Sequence, residues 1–232
     1  MTPSPAPGRV LITGGASGLG AAVADAVAAA GGTPLVIDLD VTAVPHPHAY
    51  RADVSDTPGV TATVESIVAE HGGLDAVVTA AGIDRCGPLD GVAAVEWERV
   101  IAVNLLGTAA VARAALPALL ASHGKLVTVA SSLGIKAVGD ATAYCASKFG
   151  VVGFTRALAA ETRGRVGVTT LIPSGMKTRF FDDRDEKYKP SDDSRLNDPA
   201  AVADAVLFVL GQPAGSEVRE LVICHEEEES WP

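Results

Sequence analysis

The feature that most constrains this chain is a short apolar run that passes without a break into a glycine-rich turn and then a helix. Arg9–Thr13 reads as a strand, Thr13-Gly14-Gly15-Ala16-Ser17-Gly18-Leu19-Gly20 follows at once, and the Ala/Val-rich residues 18–30 read as a helix stopped by Gly31-Gly32. A helix of that length is what a crossover between parallel strands requires. The alternation continues along the chain. Further strands are expected at residues 34–38, 74–79, 125–130, 166–172 and 220–224, with a short third strand just before Asp53-Val54. Helices are expected at residues 58–71, 96–122, 144–163 and 199–210.

Strands that are unbroken apolar runs are buried on both faces, and strand–helix–strand order makes the sheet parallel with right-handed crossovers. The expected fold is therefore α/β, a doubly wound parallel sheet of the Rossmann type arranged as a three-layer sandwich, in one domain over residues 9–224. A length of 232 residues suits one core, and 48% hydrophobic against 20% charged residues excludes a disordered chain. Residues 1–8 are expected to be a flexible start, residues 225–232 an acidic tail, and the charged, proline-containing stretch 177–198 a lid over a site.

A net charge of −10 offers no basic footprint for nucleic acid or an anionic membrane. The apolar stretch 100–121 is interrupted by Asn104, Arg113 and Pro117, which favours buried helices over a membrane span. Cys86, Cys145 and Cys224 are odd in number and lack metal or disulfide spacing, and His46 and His48 beside Pro47 read as surface, so no metal site is expected. The start MTPSPAPGRV has no apolar run of the secretory kind, and a cytoplasmic protein is expected.

In doubly wound sheets, ligands bind beyond the carboxyl ends of the strands. Glycines in the first turn permit a tight bend and let backbone amides approach a pyrophosphate, whose charge is favoured at a helix N-terminus. Gly14, Ser17, Gly18, Leu19 and Gly20 are the expected contacts. Glycine is also ordinary turn punctuation, so the second strand matters. It ends in Asp38, eighteen residues past Gly20, near the spacing at which a carboxylate meets adenosine ribose hydroxyls. That carboxylate repels a ribose phosphate, and no Arg or Lys in the turn or at position 39 offsets it, so NAD is expected over NADP. Asp53 and Val54 are expected near the adenine.

Tyr144-Cys145-Ala146-Ser147-Lys148 opens a later helix and places Tyr144 and Lys148 on one face. An ammonium near a phenol, together with an oxidised nicotinamide, can draw the phenol from its usual pKa of about 10 toward working pH. Tyr144 could then exchange a proton with a substrate oxygen while hydride moves at the adjacent carbon. Ser131-Ser132 end the fifth strand and could set a hydroxyl beside the same oxygen. Asn104 is a polar residue in an apolar helix; it is either a structural hydrogen-bonding group or a holder of a water or of the Lys148 ammonium.

Together these motifs resemble the short-chain dehydrogenase/reductase family over nearly the whole chain. The matching residues are TGGASGLG at 13–20, Asp38, Asp53-Val54, Ala80-Ala81-Gly82, Asn104, the serine pair, YCASK at 144–148, and PSGMKT at 173–178. The resemblance implies a hydride-transfer enzyme with a tetrad of Asn104, a serine, Tyr144 and Lys148, and with Lys148 also at the nicotinamide ribose. It further implies that Ala81, Gly82, Asn104, Tyr144, Lys148, Pro173 and Thr178 contact the cofactor and that the chain forms a homodimer or homotetramer. Counting back from Tyr144 favours Ser131 and aligning the strand favours Ser132; Ser132 is the choice made. Thr79 and Ala80 stand where the family usually has two asparagines, and Pro173-Ser174 replaces the usual Pro-Gly.

The leading expectation is an NAD-dependent oxidoreductase acting on a carbonyl or secondary alcohol of a small polar molecule. Alternatives are an NAD-using epimerase or dehydratase of the same fold, and a non-catalytic NAD-binding regulator.

Overall fold

The computed structural model describes residues 6–227, so residues 1–5 of the expected flexible start and 228–232 of the expected acidic tail lie outside the described residues. Seven strands, β1 (Arg9–Thr13), β2 (Thr33–Asp38), β3 (Ala49–Arg51), β4 (Ala76–Thr79), β5 (Lys125–Val129), β6 (Gly167–Pro173) and β7 (Glu220–Ile223), form one parallel sheet in the order β3-β2-β1-β4-β5-β6-β7. The helices are α1 (Gly18–Ala29), α2 (Thr57–His71), α3 (Ala94–Ile101), α4 (Thr108–Ser122), α5 (Thr142–Glu161) and α6 (Pro199–Leu210).

Both faces of the sheet are covered, which is why its strands have no polar alternation. In β1, Leu11 joins the core beneath α2 and α4, while Val10 and Ile12 join the core beneath α1 and α6. β2 repeats this with Leu35 and Ile37 on one side and Val36 on the other, and β4 with Val77 opposed to Ala76 and Val78. Burying one such side chain contributes about 1.5–3 kcal/mol. Leu11 is fully buried, so Leu11→Ala should cost about 2–5 kcal/mol, read as a lower midpoint in urea at unchanged slope.

The ends of the helices follow local chemistry. Asp56 accepts the Gly59 amide at the start of α2, and Asp198 accepts the Ala200 amide at the start of α6, where Pro199 fits the first turn. Gly72, at φ +70°, ends α2 in the left-handed conformation.

The long helix expected at 96–122 is not uniform: α3 passes through a π-helical segment, Ala102–Gly107, before α4 begins. The wide turn holds Asn104, whose buried side chain leaves its own helix for partners on two other elements. Ala94–Ser122 is also the helical stretch among the described residues long and apolar enough to cross a membrane, and half of its most apolar window is buried in this fold.

From β1 the chain winds outward to β3, then returns to the centre and winds the other way from β4. The strand order therefore reverses between β1 and β4, and their carboxyl ends open into a crevice.

Candidate active site

The crevice begins at the turn after β1. Gly14 has φ +71°, and a side chain there would press on the backbone of Ala81 at 2.8 Å; one at Gly20 would overlap the Gly14 carbonyl. Thr13 completes the clamp, its hydroxyl accepting the Ala81 amide at 3.2 Å. The strand-end threonine was not singled out in the sequence, although its place just before the glycines is a signal. α1 starts with Ser17 at its N-cap, with no side-chain cap and no acidic residue in the first turn. Its leading amides are left for an anion, as a pyrophosphate requires.

Asp38 leaves β2 beside this turn. Its carboxylate accepts the Ala16 amide at 2.9 Å and the Leu39 amide at 2.7 Å, which holds it at the crevice edge. Asp53 accepts the Ser55 amide and hydroxyl and meets Arg99 of α3 at 3.3 Å; the Ser55 hydroxyl and Arg99 help hold its carboxyl below the usual range. Arg99 was missed by sequence reading because it comes from an element 46 residues away. So was Arg51, opposite Asp38 in the β2–β3 register, whose Nε donates to the Leu39 carbonyl at 3.1 Å.

At the other end of the crevice, α5 presents Tyr144 and Lys148. Lys148 Nζ donates to the Val129 carbonyl at 2.8 Å and lies 5.6 Å from the centre of the Tyr144 ring. A hydrogen bond from the Ser131 hydroxyl acts on the Tyr144 phenol, which favours Ser131 over the choice of Ser132. The physical reason is the turn after β5: Ser131 is the extended residue that precedes a short 3-10 turn and caps it through the Leu133 amide, whereas Ser132 starts the turn, its carbonyl accepting the Ile135 and Lys136 amides. Phe180, from the segment after β6, packs on Tyr144 with ring centres 5.7 Å apart.

The Asn104 side chain makes structural hydrogen bonds. Its amide accepts the Ile83 N–H at 2.8 Å, donates to the Ile83 carbonyl at 2.9 Å and donates to Ser147 at 3.0 Å. It braces the loop after β4 against α5 and fixes the backbone on which Gly82 faces Lys148; among the described residues it holds no hydrogen bond to that ammonium.

One cleft of about 740 Å³ is lined by Gly14, Ser17, Gly18, Leu19 and Gly20, then by Asp38, Asp53 and Val54, and further on by Ala81, Gly82, Ser131, Ser132, Tyr144, Lys148, Pro173 and Thr178. Asn104 alone of the expected set stands behind the wall. An uncapped helix start, a carboxylate at the second strand's end and a phenol–ammonium pair at the far end fit a nicotinamide dinucleotide along that cleft. Of the positions where family asparagines usually stand, Thr79 has a buried hydroxyl with no hydrogen-bond partner among the described residues. Ser174 accepts Asn197 Nδ2 at 3.0 Å, tying the end of the lid stretch to β6.

The electrostatics depart from one expectation. Burial pushes the Tyr144 phenol up to about 12, against the lowering effect of Ser131, and burial also brings Lys148 down to about 8. The protein groups alone therefore favour a neutral phenol; the expected fall toward working pH needs the positive charge of an oxidised nicotinamide.

Residues 9–189 match the family model for short chain dehydrogenases. The chain belongs to the short-chain dehydrogenase/reductase family. Among its relatives, D-threitol dehydrogenase of Mycolicibacterium smegmatis is 36% identical over 183 residues, covering 73% of this chain and 70% of that protein. (3R)-3-hydroxyacyl-CoA dehydrogenase of Mus musculus is 32% identical over 233 residues, covering 88% and 90%. An alcohol dehydrogenase from Thermococcus sibiricus, solved with 5-hydroxy-NADP, has the same fold, with a TM-score of 0.87 at 23% identity over 96% of this chain and 98% of that one.

Outside the cleft, donor atoms of His48, Glu70 and His71 lie within 4.8 Å of one another, closer to a metal-binding set than the sequence suggested, but His71 Nε2 is engaged by the Tyr50 hydroxyl at 2.7 Å.

Proposed function

We propose that this short-chain dehydrogenase/reductase uses NAD to interconvert a secondary alcohol and a carbonyl on a small polar substrate, with Tyr144 as general acid/base. The observation that carries this reading is that the Tyr144 phenol, the Ser131 hydroxyl and the Lys148 ammonium share one cleft with the uncapped start of α1 and with Asp38.

In this reading the Gly14–Gly20 turn holds the pyrophosphate, Asp38 the adenosine ribose hydroxyls and Lys148 the nicotinamide ribose. The bound nicotinamide supplies or accepts the hydride. Ser131 orients the substrate oxygen, Tyr144 gives it a proton in reduction and takes one in oxidation, and Lys148 stabilises the phenolate while it lasts. Phe180, Phe181 and Leu133 shield the reacting oxygen from water.

Support for NAD over NADP is the Asp38 carboxylate, which would face a ribose phosphate. Arg51 and Arg99 supply the observation for a second reading, in which the adenine end accepts NADP as well. A fluorescence titration with NADH and NADPH separates the two. Preferential NADH binding is expected, and Asp38→Asn should narrow that preference by about tenfold, corresponding to one lost charge repulsion of roughly 1–1.5 kcal/mol. An unchanged ratio would sink the NAD assignment.

We also propose a cytoplasmic homo-oligomer. Leu106, in the π-helical segment before α4, and Phe149, on α5, are large apolar residues about half exposed. Light scattering should show a dimer or tetramer, and Leu106→Glu with Phe149→Glu should shift it toward monomer.

A further inference from the structure

The lid stretch is fastened at two points to loops that are remote in sequence. Arg184 Nη2 meets the Asp84 carboxylate at 2.6 Å, and the Tyr188 hydroxyl donates to Asp140 at 2.7 Å. The first contact is buried: 3% of the Asp84 side chain and 17% of the Arg184 side chain are exposed. Arg184 Nη1 donates to the Tyr188 carbonyl, so one guanidinium joins both fastenings, and its Cζ lies 4.6 Å from the Phe181 ring centre and 5.3 Å from that of Phe180. Phe180 in turn touches Tyr144, and Arg184 lines the same cleft as Tyr144 and Lys148.

A carboxylate with so little solvent access is costly unless it is paired. Asp84 also receives the Arg85 amide at 2.7 Å and the Cys86 thiol at 3.1 Å, but Arg184 brings it a full positive charge. Arg184 sits on the stretch 177–198, whose charged, proline-containing sequence reads as a lid over the site. When the lid lifts, Asp84 loses that partner while staying fixed after β4, close to the catalytic pair.

We propose that Arg184 is a positioning residue that couples lid closure to proton transfer, cancelling the Asp84 charge beside Tyr144 and Lys148 only while the lid covers the site. The inference rests on the acid/base reading of Tyr144. The charged and titratable groups facing that phenol are Lys148 and Cys145 on α5, Asp84 from the loop after β4 and Arg184 from the lid, with the Ser131 hydroxyl after β5. Asp84 opposes ionisation of the phenol and holds the proton on Lys148, whereas Arg184 favours the phenolate. A closed lid therefore makes Tyr144 a better base for oxidation, and an open one keeps it protonated.

The test uses Arg184→Met, Asp84→Asn and the double variant in the full chain. Hydrogen exchange across residues 177–190 should rise in all three, because the latch is lost; unchanged exchange in Arg184→Met would overturn the latch without reference to any substrate. In alcohol oxidation, Arg184→Met should raise KM and move the pH profile up by about one pH unit, whereas adding Asp84→Asn should return the profile to its wild-type position while KM stays high. A profile that Arg184→Met leaves in place, or that the second substitution fails to restore, would overturn the electrostatic coupling. NADH affinity should stay within about twofold throughout. Wild-type protein that binds no nicotinamide cofactor and oxidises no alcohol would instead count against the proposed function, and the exchange result would still decide the latch.

Discussion

Tyr144→Phe protein is expected to bind NADH as tightly as the wild type and to lose turnover by about 10²–10⁴-fold, the usual contribution of a positioned acid/base. The phenol ring packs between Lys148 and Phe180, and phenylalanine keeps that packing, so the loss falls on the proton and not on the fold. The same pair sets the pH dependence. With the phenol near 12 and the lysine near 8, the first proton to leave these two neighbours does so near pH 8 and comes from Lys148. Oxidation needs the pair with one proton removed, because the pair must accept the proton of the alcohol. Reduction needs both protons present. Alcohol oxidation should therefore rise with pH through about 8, and carbonyl reduction should fall over the same range. Rates measured in both directions from about pH 6 to about pH 9 check this, and profiles flat across that interval would mean that another group carries the proton.

What the sequence displayed and what it hid follow from the range of the interactions involved. β1 and α6 match their expected bounds, and the other strands lie within two residues, because burial on both faces of a parallel sheet writes itself into the chain as unbroken apolar runs. The glycine turn, Asp38 and the Tyr144/Lys148 pair were legible for a similar reason: each depends on spacing within one element or across one crossover. Long-range pairing was not. The choice between Ser131 and Ser132 depends on where a 3-10 turn starts, a matter of one residue that spacing from Tyr144 and strand alignment answered differently. The π-helical segment at Asn104 depends on Ile83 and Ser147, which lie 21 and 43 residues away. The Arg184–Asp84 pair spans 100 residues, and both members look like ordinary surface charges in the sequence. The charge argument at Asp38 reached only the turn and position 39; Arg51, paired with Asp38 across the sheet, and Arg99, which lines the cleft, come from other elements.

The glycine turn yields the second large effect. Gly20→Ala adds a single methyl group, yet that methyl would overlap the Gly14 carbonyl oxygen, and the atoms it meets are backbone, which cannot rotate away as a side chain can. Gly14 cannot yield either, because its own Cα already faces the Ala81 backbone and its amide donates to the Ile37 carbonyl at 2.9 Å. The start of α1 must then move away from β1, and the amides that would meet the pyrophosphate move with it. Overpacking of this kind costs about 1–3 kcal/mol. Where the displaced group is the phosphate cradle, a loss of about 2–3 kcal/mol in binding corresponds to roughly 30- to 150-fold weaker NADH affinity. Tyr144→Phe and Gly20→Ala thus separate the two halves of the cleft: the first should abolish chemistry with binding intact, the second should weaken binding while leaving the Tyr144–Ser131–Lys148 geometry in place. Titration of Gly20→Ala with NADH, followed by turnover at saturating cofactor, measures both. Wild-type affinity in that variant would mean that the dinucleotide does not rest on this turn, and the assignment of Asp38 to its ribose would fall with it.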